Sequence, residues 1–309
     1  MPKHETRQLA ITSVVVTYNR KSLLCKALAA HTAQTLQPTR LLIVDNASTD
    51  GTREMLKAEG WLDRPGVELL ALPENTGGAG GFSAGMKHAF ENGAQWVWMM
   101  DDDAEPHYDA LEQLMRVASD PNRIYGSIAV AGIQTSWPLC SKDGAEFSEV
   151  TRIPDTLHVT SLPFLGFLVS ARTVARIGYP DEGYFIAGDD HEYCLRASAN
   201  GIPIIACGKS RISHPASSHY RFGLGPFQPT CFYIQPWKRY YDVRNRIISA
   251  MRHDGRISAM AKTVPATGVR WLATMLHEPD RLAQSKAYLA GLWDGVLGRG
   301  GRRHEMWGL

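Results

Sequence analysis

Short apolar runs alternate with helix-length amphipathic segments over the first hundred residues. This alternation is typical of βαβ units and a mostly parallel sheet. The apolar runs predict strands at Ile11 to Tyr18, Leu41 to Asp45, Val67 to Leu72 and Trp96 to Met100, followed later by Ser127 to Ile133. The segments with helical periodicity predict helices at Lys21 to Ala33, Gly80 to Asn92 and residues 108–118. Turn-forming residues from Thr135 to Asp155 indicate an insertion or a hairpin.

The pattern changes at Pro236, where amphipathic helices are predicted at Trp237 to Met251 and Val269 to Met275. Residues 238–309 contain thirteen Lys or Arg and six Asp or Glu, with four Trp interspersed in 236–309. We therefore expect an α/β domain over residues 1–235 and a basic, Trp-bearing helical region over 236–309. The second region fits either a solvated appendage that packs its Trp side chains on the main domain, or a face that rests on anionic lipid headgroups.

Composition narrows the class of protein. The 309 residues carry a net charge of +2, which gives no reason to expect nucleic-acid binding. The five cysteines are scattered and lack any C-x-x-C spacing, so we expect reduced thiols in a cytoplasmic protein. The polar lead at residues 1–8 lacks the features of a secretory signal, and no apolar stretch is long enough to span a membrane. Any membrane contact is expected to be peripheral.

Polar or glycine-rich residues follow each of the first four predicted strands. They are Thr17 to Asn19, Asp45 and Asn46, Asn75 to Gly81, and Asp101 to Asp103. Ligands of open parallel sheets bind outside the carboxyl ends of the strands, where loops and helix N-termini meet. The sequence therefore predicts a nucleotide-type crevice at this edge of the sheet.

The carboxylate triplet Asp101 to Asp103 follows an apolar strand and has no basic residue nearby in the chain. Three adjacent like charges repel one another, so we expect a cation beside them. If the strand continues through the triplet, Asp101 and Asp103 share one face and offer oxygen ligands to Mg²⁺ or Mn²⁺. Capping of a helix that begins near Pro106 explains one of the acids, but not all three.

The segment Glu74 to Phe82 has four glycines within five positions. Such a loop lets a ligand approach the main chain closely, in front of helix N–H groups that attract an anion. It matches neither the dinucleotide fingerprint nor a Walker loop. Tight packing alone is the alternative explanation.

Asp189 and Asp190 lie in the first turn of a predicted helix within Ala187 to Gly201. The helix dipole favours ionised carboxylates there, which suits a general base, although Asp189 fits a plain N-cap equally well. His214 and His219 form a further candidate pair, but a lone loop histidine is more often a surface residue.

Taken together, VVVTYNR, VDNASTDGT, NTGGAGGF, WMMDDDAEP and GDDHEYCLRA resemble the ordered signature of family 2 glycosyltransferases over roughly residues 11–220. The resemblance implies an inverting enzyme with a GT-A fold, a Rossmann-like α/β mixed sheet that binds a nucleotide sugar. The glycine-rich loop with the acidic motifs is similar to that of bacterial galactofuranosyltransferases of the initiating type, which act on a lipid-linked acceptor. Rhamnosyltransferases share much of the pattern.

On the donor side, the resemblance implies that Thr17 and Asp45 hold the nucleobase, with Asp45 accepting from a uracil ring. Asn75, Gly77 and Gly78 would border the sugar nucleotide. These are expectations taken from matching motif positions.

The metal and sugar contacts follow from the same matches. Asp101 and Asp103 correspond to metal-binding carboxylates, Asp102 to a ribose or sugar contact, and His214 to a histidine that helps hold metal or diphosphate. The cofactor implied is Mn²⁺ or Mg²⁺.

Asp190 corresponds to the general base, with Asp189 and Glu192 as acidic neighbours on the acceptor side. Glu192 stands where relatives often carry Asp, so its role differs from the family pattern. Phe164 and Phe167 resemble the acceptor-side wall and fit a core position equally well.

The function implied is metal-dependent transfer of galactofuranose from UDP-galactofuranose to a hydroxyl of a polyprenyl-linked glycan, at the inner face of a bacterial membrane. A dTDP-rhamnosyltransferase is the main alternative. A nucleotidyltransferase should carry a glycine-rich basic motif after the first strand, which TYNRKSLL lacks. A non-catalytic sugar-nucleotide or glycan-binding module would have no need for Asp190 beside a metal.

Overall fold

The structure is a computed structural model that describes residues 9–223 and 228–309. The polar lead at residues 1–8 lies outside the described residues. The strands are β1 Ile11–Thr17, β2 Arg40–Asp45, β3 Val67–Ala71, β4 Trp96–Asp101, β5 Glu105–Pro106, β6 Ile124–Ala131, β7 Gln134–Cys140, β8 Glu146–Glu149, β9 Thr156–His158, β10 Phe167–Ser170, β11 Ile204–Ser213, β12 His219–Arg221 and β13 Thr230–Phe232. The helices are α1 Lys21–Thr32, α2 Thr52–Ala58, α3 Gly77–Glu91, α4 Ala110–Val117, α5 Ala171–Ile177, α6 Asp189–Ala199, α7 Pro236–His253, α8 Arg256–Ser258, α9 Val264–His277 and α10 Arg281–Val296.

The chain divides into two compact units. The first comprises the described residues up to Asn75, Gly81–Tyr179 and Asn200–Pro215. The second comprises Thr76–Gly80, Pro180–Ala199 and the described residues from Ala216 to Leu309. The predicted division after residue 235 therefore differs from the observed one, because helix α6 packs against α7 and joins the second unit.

A mixed sheet forms the first unit, with its main strands in the order β3-β2-β1-β4-β10-β6-β11-β5. Strands β3, β2, β1 and β4 are mutually parallel, whereas β10 runs antiparallel to both β4 and β6. The α/β fold expected from the sequence is confirmed. All seven residues of β1 are buried, as expected for a central strand covered on both faces.

Most predicted elements are confirmed within a few residues, including the hairpin, which is β7 paired with β8. Helix α3 begins at Gly77, three residues earlier than predicted, and α4 begins at Ala110, two residues later than the predicted start at 108. The helix start considered near Pro106 was wrong. Residues near Pro106 instead form the short strand β5, because Glu105 and Pro106 pair with β11.

Helices α7 and α10 make the main packing contact of the second unit. Pro236 opens α7 at the position where a missing N–H costs nothing. Tyr240 and Tyr241 of α7 pack on Ala287 and Ala290 of α10. Within residues 9–223 and 228–309, none of the helices is both long enough and apolar enough to cross a membrane.

Candidate active site

The ends of three parallel strands bring together three of the predicted donor-side residues, Thr17, Asp45 and Asp101, in the first unit. The strand register sets Thr17 at the end of β1 beside Asp45 at the end of β2. It also sets Val16 beside Asp101, the last residue of β4. Strand order reverses between β1 and β4, which is the point where open α/β sheets bind ligands.

The acidic triplet does not continue the strand. β4 ends at Asp101, and Asp102 and Asp103 lie in the following turn, so the predicted strand alternation through Asp103 was wrong. Asp102 is buried, and Thr17 Oγ1 donates to its Oδ2 at 2.7 Å. Helix capping is excluded for the triplet because α4 begins only at Ala110.

Arg20 provides a cation for the triplet that sequence reasoning missed. Its Nη1 donates to Asp103 Oδ2 at 2.9 Å and to Asp102 Oδ1 at 3.3 Å. Burial raises the pKa of Asp102 above its usual range, more than Thr17 and Arg20 lower it. Burial acts in the same direction on Asp103, but His214 and Arg20 outweigh it, and the pKa of Asp103 is lowered. The expected cation is thus partly supplied by the chain, from about eighty residues upstream.

His214 faces the remaining oxygen of Asp103, with Nε2 3.4 Å from Oδ1. Nδ1 of His214 lies 2.8 Å from the carbonyl oxygen of Pro215, which can only accept, so Nδ1 carries a proton. A ring protonated at both nitrogens forms an ion pair with this carboxylate, which is how His214 lowers the pKa of Asp103, whereas a neutral ring presents the Nε2 lone pair instead. Oδ1 of Asp103 is buried and lacks a hydrogen-bond partner among the described residues.

This pair of atoms fits a divalent cation. A carboxylate oxygen and an imidazole lone pair facing each other are metal-ligand groups, and Mg²⁺ and Mn²⁺ commonly take the rest of their ligands from substrate phosphates and water. Asp101, two residues before Asp103, is half-buried at the end of β4. In the part of the chain that the structure describes, no group of three or more His, Cys, Asp or Glu side chains is arranged to hold a metal ion.

Asp45 is fully buried and already has partners of its own. Its Oδ1 accepts the backbone N–H of Ser48 at 2.9 Å, and its Oδ2 is bound by Arg53 Nε. Arg53 is a second cation that sequence reasoning missed. A cavity of about 410 Å³ adjoins this pair and is lined by Ala47, Ser48, Thr49, Gly51, Arg53, Glu54, Leu72 and Pro73.

The glycine-rich segment forms the first turn of α3 rather than a free loop. Gly77 has a φ of +73°, and a Cβ there would lie 1.9 Å from the carbonyl oxygen of Phe185. A Cβ on Gly80 would lie 2.4 Å from the Thr76 side chain. Tight packing therefore explains these two glycines. Gly78 differs, because a Cβ there would meet no described atom within 4 Å. The donor-side roles of Asn75, Gly77 and Gly78 stay predictions.

The second unit contains the acidic helix start, and α6 begins at Asp189 as predicted. Asp189 is buried and Asp190 is half-buried, with Oδ1 of Asp190 accepting the His191 N–H at 2.7 Å. Burial raises the pKa of both carboxyls, and the charge of Asp190 raises that of Asp189 further. Desolvation therefore opposes the helix dipole, which was expected to favour the ionised carboxylates. A raised pKa still suits a general base.

Three other predicted site residues, Glu192, Phe164 and Phe167, are buried among other side chains. The carboxylate of Glu192 is fully buried and bound by Arg196, Arg252 and His253. Phe164 and Phe167 are buried in the first unit, with ring centroids 5.0 Å apart. These contacts favour core roles over acceptor contact, and the acceptor-side roles stay predictions.

His219, the other candidate histidine, lies in β12 of the second unit. It is exposed, and its Nδ1 lies 3.1 Å from the carbonyl oxygen of Ser217. Its surroundings are those of a surface residue.

Comparisons with known proteins show similarity to glycosyltransferases. The family model described as Glycosyl transferase family 2 matches residues 12–162. The galactofuranosyltransferase GlfT1 of Mycobacterium tuberculosis is 33% identical over 250 residues, covering 77% of this chain and 81% of that protein. The dTDP-rhamnosyl transferase RfbF of Shigella flexneri is 23% identical over 309 residues, covering 96% and 98%.

Among solved structures, that of GalNAc-T7 with UDP, GalNAc and Mn²⁺ is similar, with a TM-score of 0.60 and 13% identity. The match covers 80% of this chain and 48% of that one, so this chain spans about half of that protein. Such a likeness establishes the fold, which is the GT-A fold expected from the sequence.

Proposed function

Because the chain belongs to glycosyl transferase family 2 and is a glycosyltransferase, we propose that it moves galactofuranose from UDP-galactofuranose to a hydroxyl of a glycan acceptor. The choice of sugar is supported by the identity to GlfT1 over most of both chains. The site observation that carries the proposal is the Asp103 Oδ1 and His214 Nε2 pair, 3.4 Å apart beside the strand switch point. A nucleoside diphosphate donor with a divalent cation fits this pair.

Each site residue has a separate role in the proposed transfer reaction. Asp190 removes the proton of the acceptor hydroxyl while the hydroxyl oxygen attacks the anomeric carbon from the face opposite the diphosphate. The bond from that carbon to the diphosphate breaks, configuration inverts, and the nucleoside diphosphate leaves. Asp103, His214 and Asp101 would hold Mn²⁺ or Mg²⁺, which when bound neutralises charge on the leaving diphosphate. Asp45 would accept from the uracil ring.

A second candidate is a rhamnosyltransferase that uses a dTDP-sugar, favoured by the match to RfbF along nearly the whole chain. The two are separated by incubating the protein with UDP-galactofuranose or dTDP-rhamnose, with Mn²⁺ or Mg²⁺, and following release of the nucleoside diphosphate. Release from UDP-galactofuranose alone supports the proposal, and release from dTDP-rhamnose alone overturns it.

Two charge-removing variants test the residue roles. Asp190→Asn should abolish transfer while leaving UDP affinity nearly unchanged, with the exposed Asp254→Asn as its control. Asp103→Asn should weaken Mn²⁺-dependent UDP binding measured by calorimetry, whereas the exposed Asp143→Asn should not. Full turnover in Asp190→Asn removes the base assignment, and unchanged affinity in Asp103→Asn removes the metal assignment.

We further propose that the acceptor is polyprenyl-linked and that the C-terminal helices rest on anionic lipid at the inner face of the membrane. Helix α10 exposes Leu282, Leu289 and Trp293, which recur on one helical face. Trp271 and Leu272 of α9 are exposed as well, and Trp271 Nε1 donates to Ser285 of α10 at 3.0 Å, which joins the two faces.

Charge around this apolar face favours anionic headgroups. Residues 255–309 contain eight Lys or Arg and four Asp or Glu, and two of those acids, Glu278 and Asp294, are buried. An apolar face with tryptophans and a cationic rim is the pattern of interfacial helices.

Co-sedimentation with vesicles of phosphatidylglycerol and phosphatidylcholine tests this contact. The double change Leu289→Gln with Trp293→Gln should reduce binding at low salt. Ile133→Gln, which removes an exposed apolar side chain from the first unit, is the matched control. Equal binding of all three proteins, or binding only to neutral vesicles, would contradict the membrane role.

A further inference from the structure

The segment Tyr184–Gly188, which leads directly into Asp189 and Asp190, is backbone-strained. Phe185 has a φ of +62° and a ψ of −65°, Ala187 has a φ of +67°, and Gly188 has a φ of +81°. A positive φ is uncommon for residues with a side chain, and the Phe185 conformation is that of a strained γ-turn. Such conformations persist only where surrounding structure holds them, and they cluster at functional sites.

Two adjacent buried side chains of α7 hold this segment. Asn245 Nδ2 lies 2.9 Å from the carbonyl oxygens of both Tyr184 and Ile186, and 2.7 Å from that of Ala187. Arg244 Nη2 donates to the carbonyls of Tyr184 at 2.8 Å and Gly183 at 3.1 Å. Arg244 Nε also donates to Asn245 Oδ1 at 2.8 Å, which orients the amide so that its N–H groups face the segment.

The other side of the segment contacts the glycine-rich start of α3. The carbonyl oxygen of Phe185 accepts the N–H of Ala79 at 3.1 Å. A side chain on Gly77 would overlap that same oxygen. The conformation of Phe185 therefore fixes both the start of α3 and the residues just before Asp190.

We propose that Asn245 and Arg244 are positioning residues for transfer, because they hold Tyr184–Gly188 in the strained conformation that places Asp190 and the glycine-rich turn. The inference rests on the proposed function, in which Asp190 is the base. Neither residue reaches the reaction itself, since both are fully buried and donate to main-chain carbonyls.

The test compares kcat per folded molecule in Asn245→Ala and Asn245→Asp. A misplacement of about 1 Å costs as much as 100-fold, so we expect kcat to fall roughly 10- to 100-fold. Asn245→Asp should be worse than Asn245→Ala, because it turns a carboxylate oxygen toward three carbonyl oxygens. An equal loss of kcat in the two variants, or a larger loss in Asn245→Ala, would contradict the role of Asn245 as a hydrogen-bond donor.

Ser249→Ala is the matched structural control. It removes a buried 2.7 Å hydrogen bond between the same helix and the Tyr184 hydroxyl, but leaves the bonds to the main chain. A kcat loss in Ser249→Ala as large as in Asn245→Ala would overturn the proposal. Adding Ala187→Gly to Asn245→Ala should partly restore kcat, because glycine adopts a positive φ without strain.

Two further measurements keep the outcomes separate. If Asn245→Ala does not fold, Arg244→Lys replaces it in the test. Lysine keeps the positive charge but lacks the guanidinium that reaches the two carbonyls. Full kcat in folded Arg244→Lys overturns the proposal. Asp190→Asn is measured alongside. Loss of activity in Asp190→Asn with full activity in the Asn245 variants contradicts only the positioning role. Full activity in Asp190→Asn contradicts the assignment of Asp190 as the base, on which the positioning role rests.

Discussion

Replacing Glu192 with Gln separates a structural role from an acceptor-side role. The carboxylate of Glu192 is fully buried, with Oε2 2.7 Å from Arg196 Nη2. Its Oε1 lies 3.3 Å from Arg252 Nη1 and 3.2 Å from His253 Nε2. The change removes the negative charge shared by these groups but keeps the side-chain shape.

The size of the effect follows from the exposure of the partners. Removing one partner of a fully buried ion pair costs about 3–5 kcal/mol. The side chains of Arg196 and Arg252 are 23% and 44% exposed and can turn partly to water, and glutamine still accepts one hydrogen bond. We therefore expect Glu192→Gln to lower the free energy of unfolding by about 3 kcal/mol, at the low end of that range.

Thermal unfolding and kcat per folded molecule are the two measurements. At about 2 °C per kcal/mol for a large domain, Tm should fall by about 6 °C while kcat stays within about twofold. Glu112→Gln is the control, because Glu112 forms the same i,i+4 pair with Arg116 on the surface. Equal Tm changes in both variants would refute the structural argument. A large kcat loss with an unchanged Tm would instead support acceptor contact.

Three further predictions concern single residues. Gly77→Ala should lower Tm markedly because of overlap and a positive φ, whereas Gly78→Ala, which has open space, should change Tm little. Thr17→Val should lower the free energy of unfolding by about 1.5–3 kcal/mol, because it leaves a buried oxygen of Asp102 without its hydrogen-bond donor. Thr17→Ser keeps the hydroxyl and should retain most of the wild-type stability. Because burial raises the pKa of Asp190, which must be ionised to act, kcat/KM should rise with pH with a midpoint above about 4, and a midpoint at or below that value would contradict the burial argument.

The strand pattern was predictable because burial on both faces leaves a clear mark in the sequence. β1 and β4 are central parallel strands, so their residues form continuous apolar runs that end where polar groups begin. The carboxyl ends of such strands share one edge, which is why Thr17, Asp45 and the acidic triplet could be placed together before any coordinates were known.

The partners of those side chains were not predictable. Arg20 precedes α1 and Arg53 lies in the first turn of α2, and both reach the carboxylates because the chain after β1 and β2 returns to the strand ends. A lone arginine at such a position carries no signal of that contact. The start of α3 was missed for a related reason. Glycine has low helix propensity, and Gly77 opens the helix because tertiary contact with Phe185 leaves no room for a side chain.

The two oxygens of Asp103 explain why three acids occur where repulsion disfavours them. Asp102 is held by Thr17 and Arg20, and Arg20 also binds Oδ2 of Asp103. Arg20 thus offsets part of the triplet's charge from one side and leaves Oδ1 directed at His214. Oδ1 of Asp103 is buried and lacks a hydrogen-bond partner among the described residues. An arginine that bound both oxygens of Asp103 would occupy this atom as well. The single-sided contact therefore offsets part of the triplet's repulsion and leaves Oδ1 of Asp103 available to the divalent cation proposed above.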